Sequence, residues 1–163
     1  MLKLDNRDIK ILRVLAQDGR ITKAQLAERV GLSASPCWER LRRLEEAGVI
    51  EGYKAQINLR KLGPNVTVFV VAELADHTPA SFQAFEAQVQ RFDEVTACWA
   101  LGGGFDYLMQ VVTTDIDAYQ RLMDAMLEAR IGLARYFTYI VTKPVKPFAL
   151  PPLGLLLGRE GEV

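Results

Sequence analysis

The chain has 163 residues, enough for one domain or two small ones; it is 50% hydrophobic and 25% charged, a soluble balance that excludes a disordered or collagen-like chain. Its 20 Lys and Arg cancel its 20 Asp and Glu, which taken alone argues against a nucleic-acid binder. The cancellation is uneven: residues 1–63 carry 13 Lys and Arg against 8 Asp and Glu, a net +5, and residues 64–163 carry 7 against 12, a net −5, which points to two parts with different partners.

The start, MLKLDNRDIK, is charged and has no signal-like apolar core. No run approaches the ~18 apolar residues of a bilayer span. The longest apolar tail, from Leu150 to Leu157, is interrupted by Pro151, Pro152 and Gly154. Cys37, Cys98 and a single histidine make neither a disulfide framework nor a zinc site. A cytoplasmic protein is expected, without metal, cofactor or membrane partner.

Three helices are predicted in the basic part. The first starts at Asp5 with Asp8 three residues on, a carboxylate form of the capping box, and presents Ile9, Leu12, Leu15 and Ala16 as one apolar stripe up to Gly19. The second starts at Thr22 with Gln25 as its box partner and an Ile21–Leu26 staple, buries Leu26, Ala27 and Val30, and ends at Gly31. The third is predicted from Ser35-Pro36, with Ser35 as cap and Cys37, Leu41 and Leu44 inward, until Gly48. A short helix, a Gly turn and a second helix form the helix-turn-helix pattern, in which small Ala27 allows close approach. The outer face of the third helix then carries Ser33, Ser35, Trp38, Glu39, Arg42 and Arg43. These are phosphate and base-edge contact chemistries, suited to a helix in the major groove. A plain three-helix bundle with a solvated Arg pair is the alternative. Trp38 reads as packing on the first helix or on a second copy, in preference to contacting a DNA sugar or thymine methyl. Cys37 reads as a small core residue.

Tyr53, Ala55, Ile57 and Leu59 alternate with polar residues and predict a short half-buried strand, closed by Gly63-Pro64, where the domain boundary is placed.

The acidic part reads as strand 66–74, a helix opened by Thr78-Pro79 with Phe82, Phe85, Val89 and Phe92 inward, and strand 95–101. The turn Gly102-Gly103-Gly104 leads to a strand over 106–113. A helix capped by Thr114 or Asp115 follows, with Tyr119, Leu122, Met123 and Met126 inward, ending at Gly132 before strand 133–141. The order βαββαβ is the ferredoxin-like arrangement, with both helices on one sheet face. The other face should be polar in a monomer. Instead Phe69 and Val71 of the first strand and Phe137, Tyr139 and Val141 of the last lie opposite Val68, Val70 and Ala72. An uncovered apolar face calls for a partner, and a second copy is the simplest. A homodimer would present two third helices to half-sites about one helical turn apart.

The three glycines read as a tight hairpin that needs positive φ. The second reading is a set of bare amides that bind a small ligand's carboxylate. No Lys-Ser/Thr follows, so a nucleotide loop is excluded. His77 reads as a solvated loop residue, and Asp115 and Asp117 as helix-start charges. No catalytic constellation is found.

The run ITKAQLAERVGLSASPCWERLRRLEEAGVIEGY resembles the helix-turn-helix of the leucine-responsive regulator/AsnC (feast/famine) family, and LGGGFDYLMQVVTTDIDAYQRLM with the closing VKPFALPPL resembles that family's RAM effector domain. The resemblance implies a DNA-binding transcriptional regulator. It further implies dimers through back-to-back RAM sheets, frequent octamers, and amino acids or related metabolites bound between dimers. It maps the DNA-reading unit onto Lys23 to Arg42, adding Lys23, Gln25, Pro36 and Arg40 to the residues above. It maps the effector turn onto Gly103, Phe105 and Asp106, with Gly104 beside the pocket and Asp115 and Ile116 at the next strand's end. Ala34 and Trp38 stand where many members have Pro and Leu, and Lys146-Pro147-Phe148-Ala149 replaces the usual Lys-x-Thr-Thr.

The expected architecture is α+β: a three-helix DNA-binding domain over 1–63 joined by a short strand to a ferredoxin-like domain over 64–150, then a tail, 151–163. The expected function is sequence-specific, amino-acid-responsive regulation at operator DNA, without catalysis. A ligand-free chromosome-architecture protein and a metabolite-binding regulatory subunit of an enzyme are the alternatives.

Overall fold

The computed structural model describes residues 2–146, 149 and 151–157. The expectations placed on Pro147, Phe148 and Leu150 lie outside them. The chain forms two compact units: residues up to Gln56 together with the described tail from Lys146, and Ile57–Val145. The division thus falls before Gly63-Pro64, and the tail groups with the first unit.

The first unit is built on α1 (Asn6–Gln17), α2 (Lys23–Val30) and α3 (Ala34–Glu46). Both local capping boxes form. Asp5 accepts from the Arg7 and Asp8 amides while Asp8 accepts from the Asp5 amide, and Thr22 and Gln25 do the same for α2. Each box satisfies amide donors that a helix start leaves unpaired. Gly31 closes α2 at φ 68°, a left-handed conformation that costs glycine nothing. Leu26, Ala27, Val30, Cys37, Leu41 and Leu44 pack with Ile11 into the core. Ala16, expected on the α1 stripe, is exposed and Ile11 is buried in its place. The buried face of α1 turns toward its N-terminal half, where Asp8, Ile9 and Ile11 go inside.

Helix α3 starts earlier than expected. Ser33 holds the N-cap position and makes no side-chain cap bond, and Ser35 lies inside the first turn. Pro36 is then the third helical residue. The first-turn amides have no intrahelical acceptor, so proline loses nothing there.

No strand forms over residues 51–58, and the segment is exposed throughout. An alternating sequence becomes a strand only beside another strand, and this unit contributes none among its described residues. Tyr53 instead donates to Glu45 at 2.8 Å. A single 3₁₀ turn follows, Leu59–Lys61.

The second unit has β1 (Val66–Leu74), α4 (Pro79–Val89), β2 (Val95–Ala100), β3 (Tyr107–Thr113), α5 (Ile116–Glu128) and β4 (Leu133–Ile140). The sheet is antiparallel in the order β2-β3-β1-β4, the ferredoxin-like topology. Alternation along β1 puts Val68, Val70, Ala72 and Leu74 into the core with Phe85 of α4, Met109 of β3 and Met123 and Met126 of α5. Helix α5 stops at Glu128, short of Gly132, which takes φ 89° in the turn into β4. A four-residue helix, α6 (Leu153–Leu156), lies in the tail.

The opposite sheet face is open. Register aligns Trp99, Leu108, Val71 and Phe137 in one row across all four strands, and Gln110, Phe69 and Tyr139 in the next. Trp99, Phe137 and Tyr139 remain 47%, 46% and 56% exposed.

Candidate functional sites

The outward face of α3 follows from the helix period. Cys37, Leu41 and Leu44 are buried, so Ser35, Trp38, Glu39, Arg42 and Glu46, spaced by threes and fours, point away from them. Ser33, Ser35, Pro36, Trp38, Glu39 and Arg42 are exposed. Arg42 Nε donates to Glu46 Oε1 at 2.7 Å, and both side chains stay mostly in solvent. The contact of Trp38 is with α2: Lys23 Nζ lies 3.0 Å from its ring centroid. This cation–π contact orients the indole at the edge of the face. Gln25 Oε1 is committed to the capping box, where it accepts from the Thr22 amide at 3.2 Å.

Arg40 and Arg43 sit on the flank of α3 and turn toward the start of α1. Arg40 Nη1 reaches Asp5 at 2.6 Å and Asp8 at 2.9 Å, and Arg43 Nη2 reaches Asp8 at 2.7 Å. Asp8 is fully buried. Burial pushes the Asp5 carboxyl up, but the Asp8 amide and Arg40 outweigh it and hold Asp5 below the usual 3.8. Nearby, Arg7 Nη1 donates to the carbonyls of Val30 and Gly31, at 2.8 and 2.6 Å, closing the C-terminus of α2. Sequence reasoning saw Asp5 and Asp8 as a local cap and missed their reach to α3. The only available signal was an acidic residue one turn into a helix with buried neighbours.

In the second unit the glycine turn is tied down from both sides. The Leu101 amide donates to the Asp106 carbonyl at 2.7 Å, and the Asp106 amide to the Ala72 carbonyl at 3.0 Å. The Asp106 carboxylate accepts from the Leu74 amide at 2.8 Å and bonds His77 Nε2 at 3.1 Å. His77 is therefore partnered, not merely solvated, and Asp106 holds the end of β1. Phe105 meets Phe137 edge-on with centroids 5.5 Å apart, and Arg135 lies 5.7 Å from the Phe105 ring while pairing with Glu73.

Gly103 and Gly104 are exposed. None of Gly102, Gly103 and Gly104 adopts positive φ, so the expected strained hairpin is not what the glycines serve. A Cβ at any of the three would meet nothing within 4 Å.

Asp115 and Ile116 lie at the other end of β3. Asp115 caps α5, accepting from the Ala118 amide at 2.7 Å, and Ile116 is 44% exposed. Seven strand residues separate the two groups, about 20 Å at a strand's usual rise. One chain therefore does not bring the expected effector residues together. Beside Thr113 and Thr114 a cleft of about 340 Å³ is lined by Pro64, Asn65, Glu94 and Ala118. Among the described residues no group of His, Cys, Asp or Glu is placed to hold a metal, and no helix is long and apolar enough to cross a membrane.

A capped helix-turn-helix with an outward polar face, followed by a ferredoxin-like unit, defines a DNA-binding regulator that carries a sensory domain. Residues 4–51 match the winged helix-turn-helix DNA-binding family and residues 67–150 the Lrp/AsnC ligand binding domain. The transcriptional regulatory protein DoeX of Halomonas elongata is 57% identical over 145 residues, 89% of this chain and 92% of that protein. The leucine-responsive regulatory protein of Salmonella typhimurium is 41% identical over 143 residues, 88% of this chain and 87% of that protein. A Neisseria meningitidis transcriptional regulator solved in complex with L-Met superposes with a TM-score of 0.88 at 35% identity, covering 94% of this chain and 99% of that one. The chain belongs to the Lrp/AsnC family of transcriptional regulators; it is a ligand-responsive DNA-binding protein.

Proposed function

We propose that the protein acts as a homodimer or a larger assembly. In this reading it binds operator DNA through Lys23, Gln25, Ser33, Ser35, Pro36, Trp38, Glu39 and Arg42. Its effector is a small amino acid or a related metabolite, bound at a site made of Gly103, Gly104, Phe105 and Asp106 from one copy and Asp115 and Ile116 from another. It acts by binding alone, without a catalytic step. The observation that carries the reading is the glycine turn. Its own backbone and neighbours leave the three side chains' absence unexplained, whereas a ligand or second chain approaching the bare amides explains it. The 20 Å gap between the two residue groups supports a site completed by another copy, and the Neisseria relative's L-Met supports an amino acid as ligand. The ligand acts by its different affinity for two assembly or DNA-bound states.

The test is recovery of genomic fragments by the purified full-length protein, with and without each amino acid. Enrichment of particular promoters that shifts with one amino acid is expected. Equal capture of all fragments, unaffected by every amino acid, would replace this reading with a chromosome-architecture role.

A further inference from the structure

Three arginines lie within four residues of α3, and the fold treats them differently. Among the described residues Arg42 pairs with Glu46; the two side chains are 66% and 62% exposed. Such a pair is weak and screened by salt, so a phosphate can displace the glutamate. Arg43 and Arg40 converge instead on the Asp8 carboxylate, whose side chain has no solvent exposure. Its two oxygens accept from Arg40, from Arg43 and from the Asp5 amide. Asp5 takes a second bond from Arg40. Removing either guanidinium leaves one positive charge for the two carboxylates of Asp5 and buried Asp8, which is unfavourable. The side chain of Arg43 is 45% exposed, yet its acidic partner is fully buried, whereas the partner of Arg42 is in solvent; Arg42 is therefore the one that exchanges partners most readily.

We propose that Asp8 is a positioning residue for DNA recognition. It pins the flank of α3 to the first turn of α1 through Arg40 and Arg43. It thereby fixes the pose of the outward face and withholds those two charges from the phosphates. Arg42 is then the arginine of α3 that neutralises phosphate. The proposal rests on α3 being the DNA-reading helix.

Salt dependence separates the roles, because each phosphate neutralised contributes about −0.9 to the slope of log affinity against log salt. The probes are the most enriched genomic fragment from the selection above and a random-sequence duplex of the same length. The proteins are the full-length wild type, Arg42→Gln, Arg43→Gln, Asp8→Asn and Asp8→Glu. Arg42→Gln is expected to flatten the slope by about one unit per protomer. Arg43→Gln is expected to leave the slope unchanged. Asp8→Asn frees Arg43 and leaves Arg40 held by Asp5 alone, so its slope steepens, its affinity for the random duplex rises relative to the enriched fragment, and Asp8→Glu restores most of the discrimination.

A merely structural Asp8 would weaken both duplexes without steepening either slope, and that result overturns the proposal. So does a slope that Arg43→Gln flattens as much as Arg42→Gln, a comparison that stands even if Asp8→Asn does not fold. If neither arginine variant changes the slope, α3 is not the phosphate-facing helix, and the DNA-face assignment fails together with this inference.

Discussion

Phe137→Asp tests the open sheet face. Phe137 sits in the row with Trp99, Leu108 and Val71 and is 46% exposed in the single chain. A phenylalanine offers roughly 170 Å², so about 80 Å² awaits a partner, and at about 25 cal/mol per Å² that is about 2 kcal/mol. A twofold interface contains the position twice, giving about 4 kcal/mol, or about a thousandfold in the dimer dissociation constant. The figure takes the whole exposed area as buried, and desolvating the aspartate against an apolar surface acts in the same direction. Within the chain Phe137 also gives up its edge contact with Phe105, worth about 1 kcal/mol, and about 90 Å² already covered, worth about 2 kcal/mol, so a melting curve of the variant accompanies the assay. Sedimentation velocity from submicromolar to tens of micromolar protein should show the wild type as a dimer or larger and the variant as a monomer. Tyr139→Asp, two residues along the same face, should do the same. Unchanged association in both variants would refute the assignment of this face to a second copy.

Three further outcomes follow from the turn and the helix caps. Gly104→Ala should leave the melting temperature unchanged, since a Cβ there meets nothing and no positive φ is needed, while amino-acid-dependent changes in DNA binding are weakened; an intact response would remove the turn from the effector site. Asp106→Ala strands the Leu74 amide and frees His77, so it should cost about 1–3 kcal/mol and lower the melting temperature by about 4 °C or more. A melting curve identical to wild type would show that the carboxylate holds nothing. The Ala118 amide, with Thr114, holds the Asp115 carboxyl below the usual 3.8. Its folded value is thus depressed, so its contribution to stability is complete above the unfolded value and is lost as pH falls through the folded one. Asp115→Asn should flatten the decline of melting temperature below about pH 4, and an unaltered decline counts against the cap.

What was legible in the sequence was local. Asp5 with Asp8 and Thr22 with Gln25 are separated by three residues, so a capping box is written in the spacing itself. The alternating valines of β1 and the α5 stripe at Tyr119, Leu122, Met123 and Met126 fixed both the elements and their buried faces. The open sheet face was legible for the same reason, since alternation assigns Phe69 and Val71 opposite the helices. What was not legible depends on a neighbour distant in sequence. Residues 51–58 alternate as a strand does, but periodicity states which face is apolar and not whether a ladder partner exists. Three successive glycines announce backbone freedom without saying whether the chain itself uses it. Asp8 with Arg43, and Leu74 with Asp106, are bonds across thirty and more residues that no spacing encodes.

The charge asymmetry shows where that limit falls for function. The +5 of residues 1–63 includes Arg40, Arg42 and Arg43, which sequence reasoning treats as equivalent contacts. In the fold Arg40 and Arg43 are matched by Asp5 and Asp8, a cluster with two charges of each sign. Removing a neutral cluster from the sum leaves the +5 of residues 1–63 unchanged, so the long-range field of this segment survives the pairing intact. The identity of the groups that touch phosphate does not survive it. Net charge is a sum over a domain and tolerates ignorance of geometry. A contact belongs to one side chain, and here it is decided by whether that side chain's acidic partner is buried, as Asp8 is, or exposed, as Glu46 is.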